Sequence, residues 1–247
     1  MAAEARVQLC GRLAIELDGG RVETRLPGRQ GRQLFAFLTL NRDRVLSRTQ
    51  LVEAVWPIDL PGDPGDALAA LLSKLRTALG AGRLVGRAEV QLVLPAGARI
   101  DVEDALASVH EAESACALRD WPRAWHASLS AQIVTRRPLL AELDAPWIDD
   151  WRRTLDEVLL RALECYAHAC LGLGGTELAG GERAARELVR RAPLRESATA
   201  LLMQALETRG NTAEALLAYE ALRQRLRDEL GAAPAEPLQE AHRRLLG

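Results

Sequence analysis

The chain has 247 residues, 48% hydrophobic and 27% charged, with a formal net charge of −2. That apolar content excludes a disordered chain, and 19 Gly with 11 Pro exclude collagen-like and low-complexity classes. The length allows one to two domains, each able to bury a core, built from a helix-forming palette of Ala, Leu and Arg.

Met1–Cys10 lacks a charged start followed by a long apolar run, so no secretory leader is expected. Val7, Leu9, Leu13, Ile15 and Leu17 alternate loosely. A turn at Gly19-Gly20 and the stretch Val22–Leu26 then complete a hairpin or short meander. Helical spacing begins at Gln33–Leu40. A second helix follows an N-cap at Ser47 and ends before Pro57. After the turn cluster Pro61–Gly65, Asp66 is expected to cap a third helix. That helix places Leu68, Leu72, Leu75 and Leu79 on one face and closes at Gly80. Arg83–Val85 and Val90–Leu94 flank Gly86–Glu89 as a second hairpin.

The remainder reads as helices throughout, at 101–118, 121–135, 147–171, 182–191, 195–209, 212–230 and 238–246. Ile148, Trp151, Leu155, Val158, Leu159, Ala162 and Tyr166 form one apolar stripe. Ala184 and Leu188 recur 34 residues later as Ala218 and Leu222, the tetratricopeptide period, which implies stacked helix pairs. No run reaches the ~18 apolar residues of a membrane span. Cys10, Cys116, Cys165 and Cys170 are scattered, as reduced thiols of a cytoplasmic protein would be.

Charge divides unevenly. Residues 1–97 carry 13 basic and 10 acidic side chains, net +3, whereas 98–247 carry 19 and 24, net −5. Of the basic residues, 31 are Arg and one is Lys74, a skew that reflects a GC-rich genome more than any site.

Two stretches carry a resemblance. Leu34, Leu38–Asn41, Arg44–Arg48 and Leu51–Trp56 look like the start of an OmpR-type winged helix. Pro193–Glu196, Leu202-Met203, Ala205-Leu206, Gly210-Asn211, Glu214–Leu216, Tyr219, Arg223, Leu226, Glu229–Gly231 and Pro234 resemble the bacterial transcriptional activation domain. Together, from about Val7 to Leu246, they resemble the Streptomyces antibiotic regulatory proteins. The resemblance implies a mainly α fold with an α+β N-terminal part. A winged helix-turn-helix over 1–97 would precede an all-α, tetratricopeptide-like domain over 98–247. It further implies binding to direct repeats in promoter DNA, a homodimer, and contact with RNA polymerase.

In a winged helix the third helix enters the major groove and the wing meets phosphate or the minor groove. With the Leu68–Leu79 row packed inward, Ala69, Ala70, Leu71, Ser73, Lys74, Arg76 and Thr77 would face outward. The DNA contacts expected are Ser73, Lys74, Arg76 and Thr77, with Arg44, Arg48, Arg87 and the helix start at Ser47 on phosphate. The family commonly has Asn at that helix start, Gln and His within it, and Gly-Tyr near the end of the wing. This chain has Asp66, Ala69, Leu71 and Glu89-Val90 there. A second reading stays open: a non-DNA-binding interaction or ligand-sensing scaffold, its winged helix degenerate, with Leu71, Ala69 and Ala70 as an apolar patch.

Enzymatic signatures fail. His110-Glu111 has Ser114 where a zinc-protease helix needs a second His. Cys165 and His168 share a helix face, but Cys170 lies five 100° steps from Cys165 and off it. Gly172, Gly174-Gly175 and Gly180-Gly181 follow no strand, so they read as a flexible connection. No metal, cofactor or catalytic residue is expected. The Trp121/Trp125 and Trp147/Trp151 pairs, each on one helix face, are expected to pack between helices.

Overall fold

A computed structural model describes residues 5–247. Met1–Glu4, part of the stretch read as lacking a leader, lie outside the described residues. The chain forms two compact units, the first comprising residues up to Asp104 together with Arg137–Leu155 and the second Ala105–Arg136 with Asp156–Gly247.

The first unit opens with β1 (Arg6–Gln8), β2 (Ala14–Leu17) and β3 (Gly20–Arg21). With β7 (Arg99–Ile100) they make a sheet of order β3-β2-β1-β7, in which β1 and β2 are antiparallel and β1 and β7 parallel. The first hairpin turns at Asp18-Gly19, both with positive φ, rather than at Gly19-Gly20. A two-residue turn of this hand matches the right-handed twist of its strands, which leaves Gly20 free to pair with Leu17.

Helices α1 (Gly28–Leu40), α2 (Arg48–Val55) and α3 (Pro64–Leu79) follow. β4 (Leu46–Ser47), β5 (Leu84–Val85) and β6 (Glu89–Leu92) form a second sheet of order β4-β6-β5. Leu34, Phe35, Leu38, Leu46, Leu51, Leu68, Leu72, Leu75 and Leu92 are all buried, so each helix turns its apolar row inward. The N-cap of α3 is Asp63, not Asp66. Asp63 Oδ1 accepts the Asp66 amide at 2.9 Å and Pro64 takes the first helical position, where its missing N–H costs nothing.

This unit does not end near residue 97. Asp101 accepts the Leu9 and Cys10 amides, each at 2.9 Å, and burial raises its carboxyl above the ordinary range. The Leu140 amide donates to Leu9 O (2.9 Å) and the Gly11 amide to Pro138 O (2.8 Å), while Cys10 bridges Leu139. Trp147 sets its ring edge-on to Phe37 at 5.2 Å and donates Nε1 to Ala54 O at 3.0 Å. Residues 137–155 are therefore part of the same core.

The second unit is helical: α4 (Asp101–Ala117, from Ala105), α5 (Trp121–Thr135), α6 (Pro146–Leu173, from Asp156), α7 (Leu178–Arg191), α8 (Glu196–Thr208), α9 (Thr212–Leu230) and α10 (Glu236–Leu246). Ala184, Leu188 and Leu222 are buried in one cluster with Leu202, Leu206 and Tyr219, and Ala218 packs against it, which gives the 34-residue repeat its physical meaning. Gly180-Gly181 is not a flexible connection, since both residues are buried inside α7. A Cβ on Gly181 would stand 2.9 Å from Cys170 Cβ, so the missing side chain lets α6 and α7 approach. The turn falls instead to Gly174-Gly175, both with positive φ. Trp121 lies over Gly172, and Trp125 donates Nε1 to Glu177 at 3.2 Å.

Candidate nucleic-acid interface

The candidate surface is built from three pieces: the start of α2, the outer face of α3, and the β5–β6 hairpin. Ser47 begins α2 with a capping box, its hydroxyl accepting the Gln50 amide and its own amide donating to Gln50 Oε1. The Ser47 hydroxyl is thus spent on the helix. The amides of the first turn remain the group that could meet phosphate there.

On α3 the outward residues are Ala69, Ala70, Ser73, Lys74 and Thr77. Leu71 does not join them. It is buried at 7% exposure, beside Leu68 and Leu72, so the inward face of α3 is wider than a single Leu row. A core-facing helix buries a stripe of 100° or more, and Leu71 falls at its edge. The Thr77 hydroxyl donates to the Ser73 carbonyl (3.2 Å), one turn back along the helix.

The hairpin is fixed by Gly86. Its φ of +86° suits glycine, and a Cβ there would lie 1.9 Å from the Glu89 carbonyl oxygen. Arg87 follows it, exposed in the turn. Two arginines lock the pieces together. Arg76 donates to Gly86 O at 2.7 Å and to Leu84 O at 3.4 Å, which pins the hairpin to α3. Arg48 donates to Gly65 O at 2.9 Å and to Arg87 O at 3.5 Å, which joins α2 to the first turn of α3 and to the wing. Arg44 is held by Asn41 Oδ1, at 3.1 Å from its Nε.

These contacts orient Arg44, Arg48 and Arg76 without neutralising them. Among the described residues, Arg44, Arg48, Lys74, Arg76 and Arg87 have no carboxylate within 4.0 Å, whereas Arg21, Arg32, Arg42, Arg83 and Arg99 of the same unit are all ion-paired. Overall charge does not create this pattern. Residues 98–104 and 137–155 add four Arg and seven acids to the first unit, so its net +3 falls to zero. The positive surface is a matter of which cations are left unpaired. Sequence reasoning named these side chains but not the struts, because a donor's carbonyl partner becomes visible only once the chain is folded.

The metal-like residues lie elsewhere. In α6, Cys165 and Cys170 are buried while His168 is exposed. Burial pushes the Cys170 thiol up to about 11 and that of Cys10 to about 12, which makes both poor nucleophiles. Among the described residues, no group of three or more His, Cys, Asp or Glu is placed to hold a metal.

Comparison with known proteins accords with this architecture. Residues 100–246 match the family described as Bacterial transcriptional activator domain, and residues 24–90 match Transcriptional regulatory protein, C terminal. Regulatory protein AfsR of Streptomyces coelicolor is 33% identical over 231 residues, 93% of this chain. The chain belongs to the Streptomyces antibiotic regulatory protein family. Transcriptional regulatory protein EmbR of Mycobacterium tuberculosis is 26% identical and covers 100% of this chain. The solved structure "Mycobacterium tuberculosis EmbR in complex with low affinity phosphopeptide" has the same fold, with a TM-score of 0.84 at 23% identity over 99% of this chain and 65% of that one. The chain spans 23% of the length of AfsR and 66% of EmbR. Its fold is mainly α, a winged helix with a small sheet region followed by a helical domain.

Proposed function

We propose that this chain binds double-stranded DNA through α3, the β5–β6 wing and the start of α2, and activates transcription. Ser73 and Lys74 would meet base edges or phosphate, and exposed Ala69 and Ala70 would give apolar contact to thymine methyl groups. Arg44, Arg48, Arg76, Thr77, Arg87 and the Ser47 end of α2 would hold the backbone. In keeping with its family, it would act in the cytoplasm as a homodimer on promoter direct repeats. Its helical domain would engage RNA polymerase, with no catalytic step or cofactor of its own.

One observation carries this reading: Arg48, Lys74, Arg76 and Arg87 on α2, α3 and the wing, with Arg44 in the turn before β4, lack carboxylate partners among the described residues in a unit of zero net charge. The competing scaffold reading drew on Asp66, Ala69, Leu71 and Glu89 together, with an apolar patch centred on Leu71. With Leu71 buried, the patch shrinks to two alanines.

The test is a binding titration against the gene's own upstream region at two or more salt concentrations. Salt-sensitive, sequence-preferring binding is expected. Lys74→Ala should weaken binding to all sequences alike and reduce the salt slope by about one. Unchanged affinity and slope in that variant would overturn the Lys74 contact, and no binding at low salt would overturn the function.

A further inference from the structure

The solvent face of the four-stranded sheet carries a second collection of arginines, separate from the nucleic-acid surface. Val7, Ile15 and Leu17 point into the core, so the period-2 alternation turns Arg6, Gln8 and Glu16 to the opposite face. With Arg12, Arg21 and Arg99 they line an open cavity of about 630 Å³, within the range of small-molecule sites.

Strand register fixes the order of charge. Arg21 lies opposite Glu16, Glu16 opposite Arg6, and Arg6 opposite Arg99, each step about 4.8 Å across the sheet. Like charges directly opposite one another are destabilising, and Arg6 and Arg99 stand in that relation. Two of the four arginines are already compensated, Arg21 by Glu23 at 2.6 Å and Arg99 by Asp104 at 2.9 Å. Among the described residues, Arg6 and Arg12 have no carboxylate within 4.0 Å. Asp101 also lines the cavity but engages the Leu9 and Cys10 amides.

The loop that bears Arg12 is held in place. Gln8 Nε2 donates to the Arg12 carbonyl at 2.8 Å, and Gln8 Oε1 accepts from Arg137 at 3.2 Å. The Gly11 amide is tied to Pro138 O. The wall is fixed at its backbone, and the Arg6 and Arg12 guanidinium forks stand exposed on it, free to turn to an anion. Glu16, opposite Arg6, and Asp104, paired with Arg99, are carboxylates of the same lining. One carboxylate satisfies one fork. Two forks, with Arg99 adjacent, call for a group with several charged oxygens on adjoining centres. We propose that this cavity binds a phosphate-bearing small molecule, either free diphosphate or a nucleoside polyphosphate, through Arg6 and Arg12, with Arg99 beside them. Such a ligand would give the first unit an effector site independent of its DNA surface.

Isothermal titration of the full chain with pyrophosphate, and separately with GTP, tests this. One saturable site is expected, weakened at least tenfold in Arg6→Ala/Arg12→Ala and unchanged in Lys74→Ala. Equal affinities for the two probes assign recognition to the phosphates alone. Tighter GTP binding assigns the rest of the cavity to the nucleoside. If the double alanine variant melts early, Arg6→Lys/Arg12→Lys keeps the charge and loses the forks, and should still weaken binding. No saturable binding of either probe at millimolar concentration, equal binding in the double variant, or loss in Lys74→Ala would overturn the site.

Discussion

Lys74 and Arg76 stand two positions apart on α3 and share a charge, yet the fold treats them differently. Arg76 turns back to the carbonyls of Leu84 and Gly86 and fastens the wing, while Lys74 is exposed and has no carboxylate partner among the described residues. In the proposed DNA complex, phosphate affinity and wing position would be divided between these neighbouring cations, and an Arg76 substitution would disturb both. Gly86 isolates the positional part. Gly86→Ala places a Cβ in the Glu89 carbonyl and forces an L side chain to a φ near +86°. We expect a loss of about 1–3 kcal/mol in chemical denaturation, with faster amide exchange confined to β5 and β6. Unchanged stability and exchange would show that the turn tolerates a side chain.

At the scale of elements, α3 illustrates how far periodicity reaches. The row Leu68, Leu72, Leu75 and Leu79 is legible in sequence and buried as expected. Leu71 sits at the edge of that row, where a few tens of degrees decide between core and solvent, and neighbouring elements settle the matter. Leu71→Ala is expected to cost about 2–5 kcal/mol, as for a core leucine. A change within about 0.5 kcal/mol, typical of an exposed position, would contradict the burial. The glycine pair of α7 makes the same point in reverse. Gly180-Gly181 has the composition of a turn, but close approach to α6 gives it a packing role inside a helix.

For the whole molecule, the consequence concerns where the first unit ends. A cut at Gly97 separates the winged-helix sequence from the second part, but it removes β7, Asp101, the Leu139-Leu140 pairing and the Trp147 anchor on Ala54. A fragment of residues 1–97 would expose the apolar surface these groups cover and leave the Leu9 and Cys10 amides without their carboxylate. We expect that fragment to lack a cooperative thermal transition that the full chain retains. A sharp transition and dispersed amide spectrum for the isolated fragment would show that the later residues are dispensable.

The amino-acid sequence by itself determined the order and type of most elements, the tetratricopeptide period and the cations of the candidate surface. These follow from local periodicity, caps and turns, which act over a few residues. The hairpin arm read at Val22–Leu26 is instead β3 followed by a 3-10 turn at Glu23–Arg25. Only the tertiary structure decided that Leu71 is core and that Arg48 and Arg76 are struts. It also decided that residues 137–155 complete the first unit, and that a unit of zero net charge leaves the cations of the candidate surface, like Arg6 and Arg12 on the sheet face, without carboxylate partners among the described residues. Each depends on contacts between residues far apart in the chain. The opening net charge illustrates the difference: a sum over the sequence is blind to pairing, and it is pairing that sets the local field.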